Sequence, residues 1–520
     1  MSTESPTDVL APAQVDWRPE KVEAPASRAA ARSWHPRWLI MLVLVYAALG
    51  VIVMRPVTDP DLWWHLRTGA WILEHRAVPS TDPFSSYGYG KPWVAYSWLF
   101  EIGLSRLYDA FGLFGPLLYV TLLGLAITVA LQRFMMHFEG RFTRSAALTA
   151  LGLGAMGSII MPRSYLFSIL FFIITLHVLV AVRETHRARP LLVLPPLFAV
   201  WANLHVLFIY GLVALGLAVF ESLVHRVLPG KTADAPTQST LFRPLLLTAL
   251  GCAAATLITP YHLQLHASIF GLARQAGVYD WVIEVTAMDF RQPGHWLVLG
   301  LTLGAAFLLG RQRKLPLFES LLLLVGIVLA FRARRDMWVV VVAALAIVAR
   351  CSPGRTQQEG LLSWRWICAA VVGIALAFGG LAVYRDVSPR GVEAAVAREY
   401  PVAAARIVEE RGYGGPLFNP YDWGGYLIWR LPGLRVAMDG RSNIHGDDRI
   451  GRSIATWFGA RSWASDPELA AANLVIAPIN VALTSLLRLD PRFELVYEDA
   501  VAAVFVARRA SSATDAKPTP

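Results

Sequence analysis

The sequence predicts a mainly α fold: a polytopic bundle of about eleven transmembrane helices, followed by a small extracytoplasmic α/β domain. Three observations lead there. Only 16% of the 520 residues are charged and 55% are hydrophobic, whereas a soluble domain carries about 25% charged residues. Apolar runs long enough to cross a bilayer recur from residue 38 to residue 384. Beyond residue 385 short helical and extended patterns alternate, as they do in α/β domains.

The spans are expected at 38–54, 113–132, 145–161, 164–182, 190–202, 204–222, 240–259, 296–310, 315–332, 336–350 and 363–384. Asn203 and His205 divide what would otherwise be one long run at 190–222. Basic residues decide the direction. Arg133, Arg141 and Arg144 share one loop, and Arg183, Arg187 and Arg189 another. Arg226, Lys231 and Arg243 share a third; Arg311, Arg313 and Lys314, then Arg350, Arg355 and Arg365, complete the set. All fall on the side of the N-terminus, which the positive-inside bias makes cytoplasmic. Residues 1–37 then read as a disordered cytoplasmic tail. The odd number of spans puts 385–508 outside, ahead of a second disordered tail at 509–520. The net charge of +10 resides largely in these loops and does not call for nucleic acid. The 18 Trp and 16 Tyr suit interfacial anchoring. Cys252, Cys351 and Cys368 lie in or beside apolar runs and form neither a disulfide framework nor a zinc spacing.

One apolar stretch, 93–110 within the outer loop 55–112, is left out of the count because crossing there would invert every later loop. It carries Glu101, Arg106 and Asp109 and reads as an amphipathic helix lying at the outer interface. In the last domain a helix is expected at 391–412, and strands at 416–418, 434–438, 473–478, 493–498 and 502–507.

Chemistry concentrates on the outer side. Asp59-Pro60-Asp61-Leu62-Trp63-Trp64-His65 follows the first span. A carboxylate there can serve as general base toward an acceptor, or with its neighbour hold a divalent cation against phosphate oxygens. The structural alternative is a helix N-terminus capped by Asp. Arg163 and the cluster Arg332, Arg334 and Arg335 stand in outer turns against the insertion bias. Guanidinium forks match phosphate oxygens, and headgroup snorkelling is the plain alternative. Lys91, in Gly90-Lys91-Pro92-Trp93, offers a further point charge at headgroup level, while Asp82 reads as a turn cap. Asn203 and His205 could touch a substrate or bond between helices. Glu284, beside Trp281 in the outer loop 260–295, could close over a site. In the last domain, Trp423-Gly424-Gly425-Tyr426 reads as a glycine-centred turn into an aromatic helix. Asp439-Gly440-Arg441 reads as a strand end, where polar groups can line a ligand crevice, with turn chemistry and a structural Asp439–Arg441 pair as the preferred reading.

A first span, an outer loop with an early Asp, then Lys-Pro before an interfacial helix resembles the C-type (GT-C) membrane glycosyltransferases, in particular the protein O-mannosyltransferase and lipid A aminoarabinose transferase branch. The whole chain, through Asp61-Leu62-Trp63-Trp64-His65-Leu66, Trp201-Ala202-Asn203-Leu204-His205, Trp423-Gly424-Gly425-Tyr426-Leu427 and Asp439-Gly440-Arg441, looks more like a bacterial membrane group of that superfamily. The resemblance implies a polyprenyl-phosphate sugar donor, Asp61 as catalytic carboxylate with Asp59 as fallback, and Lys91 as a donor-phosphate ligand. The family's Asp-Glu pair is Asp61-Leu62 here, and its Lys-Pro-Pro is Lys91-Pro92-Trp93.

The reading that follows is a glycosyltransferase of the bacterial cytoplasmic membrane, moving a sugar from a lipid-linked donor to a glycan, lipid or protein acceptor outside. Arg163, Arg335 and Arg332 join Lys91 on the phosphate; His65, Asn203, His205 and Glu284 contact substrate. The cofactor is open between none and a divalent cation on Asp59 and Asp61. The competing readings are a non-catalytic lipid-linked saccharide binder or transporter, and a scaffold with a partner-binding outer domain. Sugar and acceptor are not legible.

Overall fold

A computed structural model describes residues 36–56, 58–227, 239–275, 282–351 and 364–508. The expected tails, apart from Pro36 and Arg37, lie outside the described residues, as do Lys231, Trp281 and Arg355.

Each expected span falls on a helix. The first eight helices in chain order are α1 (Pro36–Val53), α2 (Pro60–His75), α3 (Trp98–Phe111), α4 (Phe114–Phe138), α5 (Phe142–Met156), α6 (Tyr165–Thr185), α7 (Leu194–Leu204) and α8 (Phe208–Val227). Phe242–Ala255, Leu263–Arg274, Pro293–Gly310, Leu317–Arg332, Met337–Cys351 and Trp364–Tyr384 follow. Four of them, α4, α6, α8 and Pro293–Gly310, are long and apolar enough to cross a bilayer by length and composition alone. Others are shorter: α5 and Met337–Cys351 have 15 residues each, a rise of roughly 22 Å against a hydrocarbon core of about 30 Å. Met337–Cys351 is buried along almost its whole length, from Met337 to Leu345 without a break. Apolar on every side, it belongs to the interior of the bundle. The chain is a multi-pass membrane protein.

At the end away from the outer loops, Arg183 on α6 donates to Glu221 of α8 (2.9 Å) and to Glu319 (2.9 Å), with Arg350 also on Glu319. Four elements are tied there by one buried ionic cluster.

The outer loop holds two helices. Asp59 caps α2, its carboxylate accepting from the Asp61 N–H at 2.9 Å, and Pro60 occupies the first turn, where a missing N–H costs nothing. The interfacial helix expected at 93–110 is α3, beginning five residues later. Gly69 lets α2 and α3 meet: a Cβ there would strike the Glu101 carbonyl.

The last domain opens with helices Pro389–Glu399 and Val402–Glu410, divided at Tyr400-Pro401, where one helix was expected. Proline forces its predecessor out of the helical region, so the break is local chemistry. A four-stranded sheet follows: β1 (Leu417–Phe418), β2 (Leu474–Pro478), β3 (Phe493–Glu498) and β4 (Ala502–Ala507), ordered β1-β2-β4-β3. β1 is parallel to β2, and the other pairs are antiparallel.

Two expectations are corrected here. The segment 434–438 is not a strand of this sheet. Val436 pairs instead with the outer loop, its N–H donating to Phe84 O (3.2 Å) and its carbonyl accepting from Ser86 N–H (2.9 Å). Gly424 and Gly425 do not make a turn; they lie inside the helix Tyr421–Arg430. A Cβ on Gly424 would meet the Met438 carbonyl, and one on Gly425 would stand 2.6 Å from Pro60 O. Gly425 is what lets this helix seat on α2, while Gly424 admits the backbone at Met438–Asp439. Around that contact Trp63 packs against Tyr400, Tyr426 and Trp429, with ring centroids 5.4, 5.1 and 4.8 Å away.

Candidate active site

The turns at the end of the bundle nearer the last domain, together with that domain, enclose a cavity of about 750 Å³. Every described membrane-side segment lining it is one that charge asymmetry had placed outside: the loop after α1, the α5–α6 turn, the α7–α8 break, Gln275 with residues 282–292, and the turn at Arg334–Arg335.

Asp61 lines the cavity from the first turn of α2. Arg163, in the α5–α6 turn, faces it and binds three carboxylates at once. Its Nε donates to Asp59 (2.6 Å), one Nη to Asp61, and the other to Glu284 (2.6 Å). Tyr119 O–H donates to the Arg163 carbonyl (2.8 Å) and anchors the turn. Burial pushes the Asp61 carboxyl up to about 7; Arg163 pulls it down, and the negative charges of Asp59 and Glu284 push it up again. Burial disfavours the charged Arg163, but its three carboxylates outweigh that and hold it protonated.

Arg334 and Arg335 line the same cavity. Arg335 Nε is buried with no hydrogen-bond partner, Asp336 Oδ1 lying 3.9 Å away. His65 meets Glu101 at 3.0 Å, and His205 meets Ser168 Oγ at 2.9 Å. Burial, with the Arg335 charge adding to it, drives the His205 pKa well down, so this imidazole is neutral. The last domain contributes Tyr421, Asp422, Arg441, Ser442 and Asn443. Gly440 packs so closely on Asp61 that a Cβ would land on the carboxylate. Arg441 is held by Asp439 (2.7 Å) and reaches across to Asp82 (2.7 Å), joining the domain to the outer loop through buried charges. Burial raises the Asp439 pKa, yet Arg441 and His445 outweigh it and keep the carboxylate ionised.

Of the residues singled out from sequence, Asp61, His65, Arg163, His205, Glu284 and Arg335 line the one cavity; Asp59 sits behind Arg163. Three expectations are corrected. Lys91 is exposed outside the cavity, its Nζ 3.2 Å from the centre of the Tyr87 ring in a cation–π contact. Arg332 is exposed outside the cavity, and its neighbour Arg334 takes the inward position. Asn203 is a structural tie: its amide accepts from Trp98 Nε1 (2.9 Å) and donates to the carbonyls of Ala199 (2.8 Å) and Ile258 (2.7 Å). Arg163, expected on phosphate, is committed to carboxylates. Sequence reading also passed over Glu101, whose signal was a carboxylate in phase with the buried positions Phe100, Leu104 and Ser105 of α3. Among the described residues, no group of three His, Cys, Asp or Glu side chains is placed to hold a metal ion; the positive charge among Asp59, Asp61 and Glu284 is a guanidinium.

A bundle of this topology, with loop helices and a trailing domain roofing one cavity, shares its fold with two solved proteins. The archaeal oligosaccharyltransferase AglB from Archaeoglobus fulgidus, solved with an inhibitory peptide and a dolichol-phosphate, superposes with a TM-score of 0.50 at 12% identity, over 86% of this chain and 70% of that one. ArnT from Cupriavidus metallidurans, bound to undecaprenyl phosphate, gives a TM-score of 0.50 at 17% identity, over 92% of this chain and 99% of that one. No family model and no curated protein matches the sequence.

Proposed function

We propose that the chain is a glycosyltransferase of the bacterial cytoplasmic membrane that moves a sugar from a polyprenyl-phosphate donor to an acceptor on the outer side. The observation that carries this is the pairing, in one cavity, of a raised-pKa carboxyl, Asp61, with Arg334 and the unmet guanidinium nitrogen of Arg335. Binding of polyprenyl or dolichol phosphates by AglB and ArnT supports the donor class. In the reaction the acceptor oxygen attacks the anomeric carbon while the bond from that carbon to the phosphate oxygen breaks. The phosphate leaves with the electron pair, its charge met by Arg334 and Arg335. The acceptor proton passes to Asp61. Arg163 holds Asp61 in place rather than touching phosphate.

Arg335→Gln is expected to weaken binding of decaprenyl phosphate by the full chain about tenfold or more, the scale of a lost charged hydrogen bond. Arg335→Lys recovers only part, because a point charge replaces a fork. Unchanged affinity in a titration of the bare lipid phosphate would remove Arg335 from the donor site.

Orientation is tested separately. In a chain freed of its own cysteines, cysteines at the exposed positions Ser86 and Ser462 are expected to react with an impermeant thiol reagent in intact spheroplasts, and one at Arg313 to be protected. The reverse pattern would put the cavity on the cytoplasmic face.

A further inference from the structure

Beneath Asp61 the cavity holds a second pair of titratable groups that the proposed chemistry does not use. Asp61 and His65 are four residues apart on α2, hence on one face. One turn further, Gly69 admits the α3 backbone at Glu101, which is what brings that side chain onto His65. The Glu101 side chain is 1% exposed. Its Oε1 lies 3.0 Å from His65 Nδ1, and its Oε2, though the residue lines the cavity, has no hydrogen-bond partner. The imidazole is packed between Trp64 and Phe100, with ring centroids 3.6 and 5.1 Å away. Burial drives the Glu101 carboxyl well up, with Arg441 opposing, and drives His65 well down, with Arg163 and His205 adding to it, which favours the uncharged form of each. A carboxylic acid that donates to Nδ1 leaves Oε2 as an acceptor and the imidazole Nε2–H as a donor. Buried polar atoms without partners call for one, and one donor beside one acceptor, walled by aromatic rings, is what a sugar hydroxyl satisfies.

We propose that His65 and Glu101 form a hydroxyl-binding subsite that holds the donor's sugar, one helical turn along α2 from Asp61. A turn is about 5.4 Å, close to the width of a sugar ring, so the ring's hydroxyls sit on the pair while its anomeric carbon stays beside Asp61. The inference rests on the donor reading above.

The test uses the full-length purified chain and four probes: bare decaprenyl phosphate, and decaprenyl phosphate bearing mannose, glucose or arabinose. The wild type is expected to bind at least one sugar-bearing probe about tenfold tighter than the bare carrier, the scale of one or two hydrogen bonds. Glu101→Leu and His65→Leu should erase that increment and leave bare-carrier affinity unchanged. Glu101→Gln, whose amide offers both a donor and an acceptor, should keep it. Three results overturn the subsite: an increment that survives Glu101→Leu, a loss in Glu101→Gln as large as in Glu101→Leu, or no increment in the wild type for any of the three sugars. The second result would mean that ionised Glu101 is what the ligand needs. Failure of the wild type to bind even the bare carrier sinks the donor reading, and the subsite with it.

Discussion

Asp61→Asn is expected to lower sugar transfer by on the order of 10²–10⁴-fold, the contribution of a positioned general base, while thermal unfolding stays near that of the parent. The amide keeps the shape of the carboxyl and its bond to Arg163 is replaced, not emptied, since Asn Oδ1 still accepts. A base must be deprotonated to act, so the sign of the pH dependence follows directly. With burial pushing the Asp61 carboxyl up to about 7, transfer should rise with pH through that value and fall away below it. Transfer by membranes carrying the variant, across pH 5 to 9, is the measurement. Parental rates in Asp61→Asn combined with loss in Asp59→Asn would move the base to the cap residue. Parental rates in both would leave the cavity as a binding site for lipid-linked saccharide rather than a catalytic one.

The second large effect concerns stability. Arg163→Leu removes the one cation shared by Asp59, Asp61 and Glu284, whose side chains are 2%, 18% and 26% exposed. Breaking a buried pair by deleting one partner costs about 3–5 kcal/mol, because the other charge is left uncompensated. Here three carboxylates are left facing one another, with the partial exposure of Asp61 and Glu284 softening the loss. A marked fall in Tm in detergent is expected, and the deficit should shrink as pH falls and the carboxyls protonate. Arg163→Lys should recover a minor share, since one ammonium cannot fork to three acceptors. An unchanged Tm in Arg163→Leu at neutral pH would show that the cluster does not hold the outer turns together.

Much of the bundle was legible. Each of the eleven apolar runs lies on a helix, and 93–110, set apart from them by Glu101, Arg106 and Asp109, contains the separate helix α3. The site was legible in kind. Arg163 and Arg335 stood out because a cation in an outer turn works against insertion, and Asp61 because it follows the first span directly. What failed was direction. Lys91 and Arg332 lie in the right turns, but one turns onto Tyr87 and the other lies outside the cavity beside an inward Arg334. The 434–438 segment alternates like a strand, yet its partner is the outer loop, more than 300 residues away in sequence. Gly424 and Gly425 look like a turn until the surfaces beneath them are known, Met438–Asp439 for the first and α2 for the second.

The sequence by itself therefore determined the membrane bundle, the charge asymmetry between its two ends, and the types of side chain gathered at the end that the last domain covers. It could do so because lipid imposes its cost residue by residue, so the composition of about twenty consecutive residues settles whether that stretch crosses. Only the tertiary structure decided which charges are already spoken for. Arg163 meets Asp59 from 104 positions away and Glu284 from 121, and Arg441 meets Asp82 from 359. An ion pair forms or not according to distances of a few ångströms, set by how helices and loops pack, and nothing local in the chain encodes them. Arg163, bound to three carboxylates, and Arg335, with a nitrogen unmet, look alike in the sequence and differ in the fold.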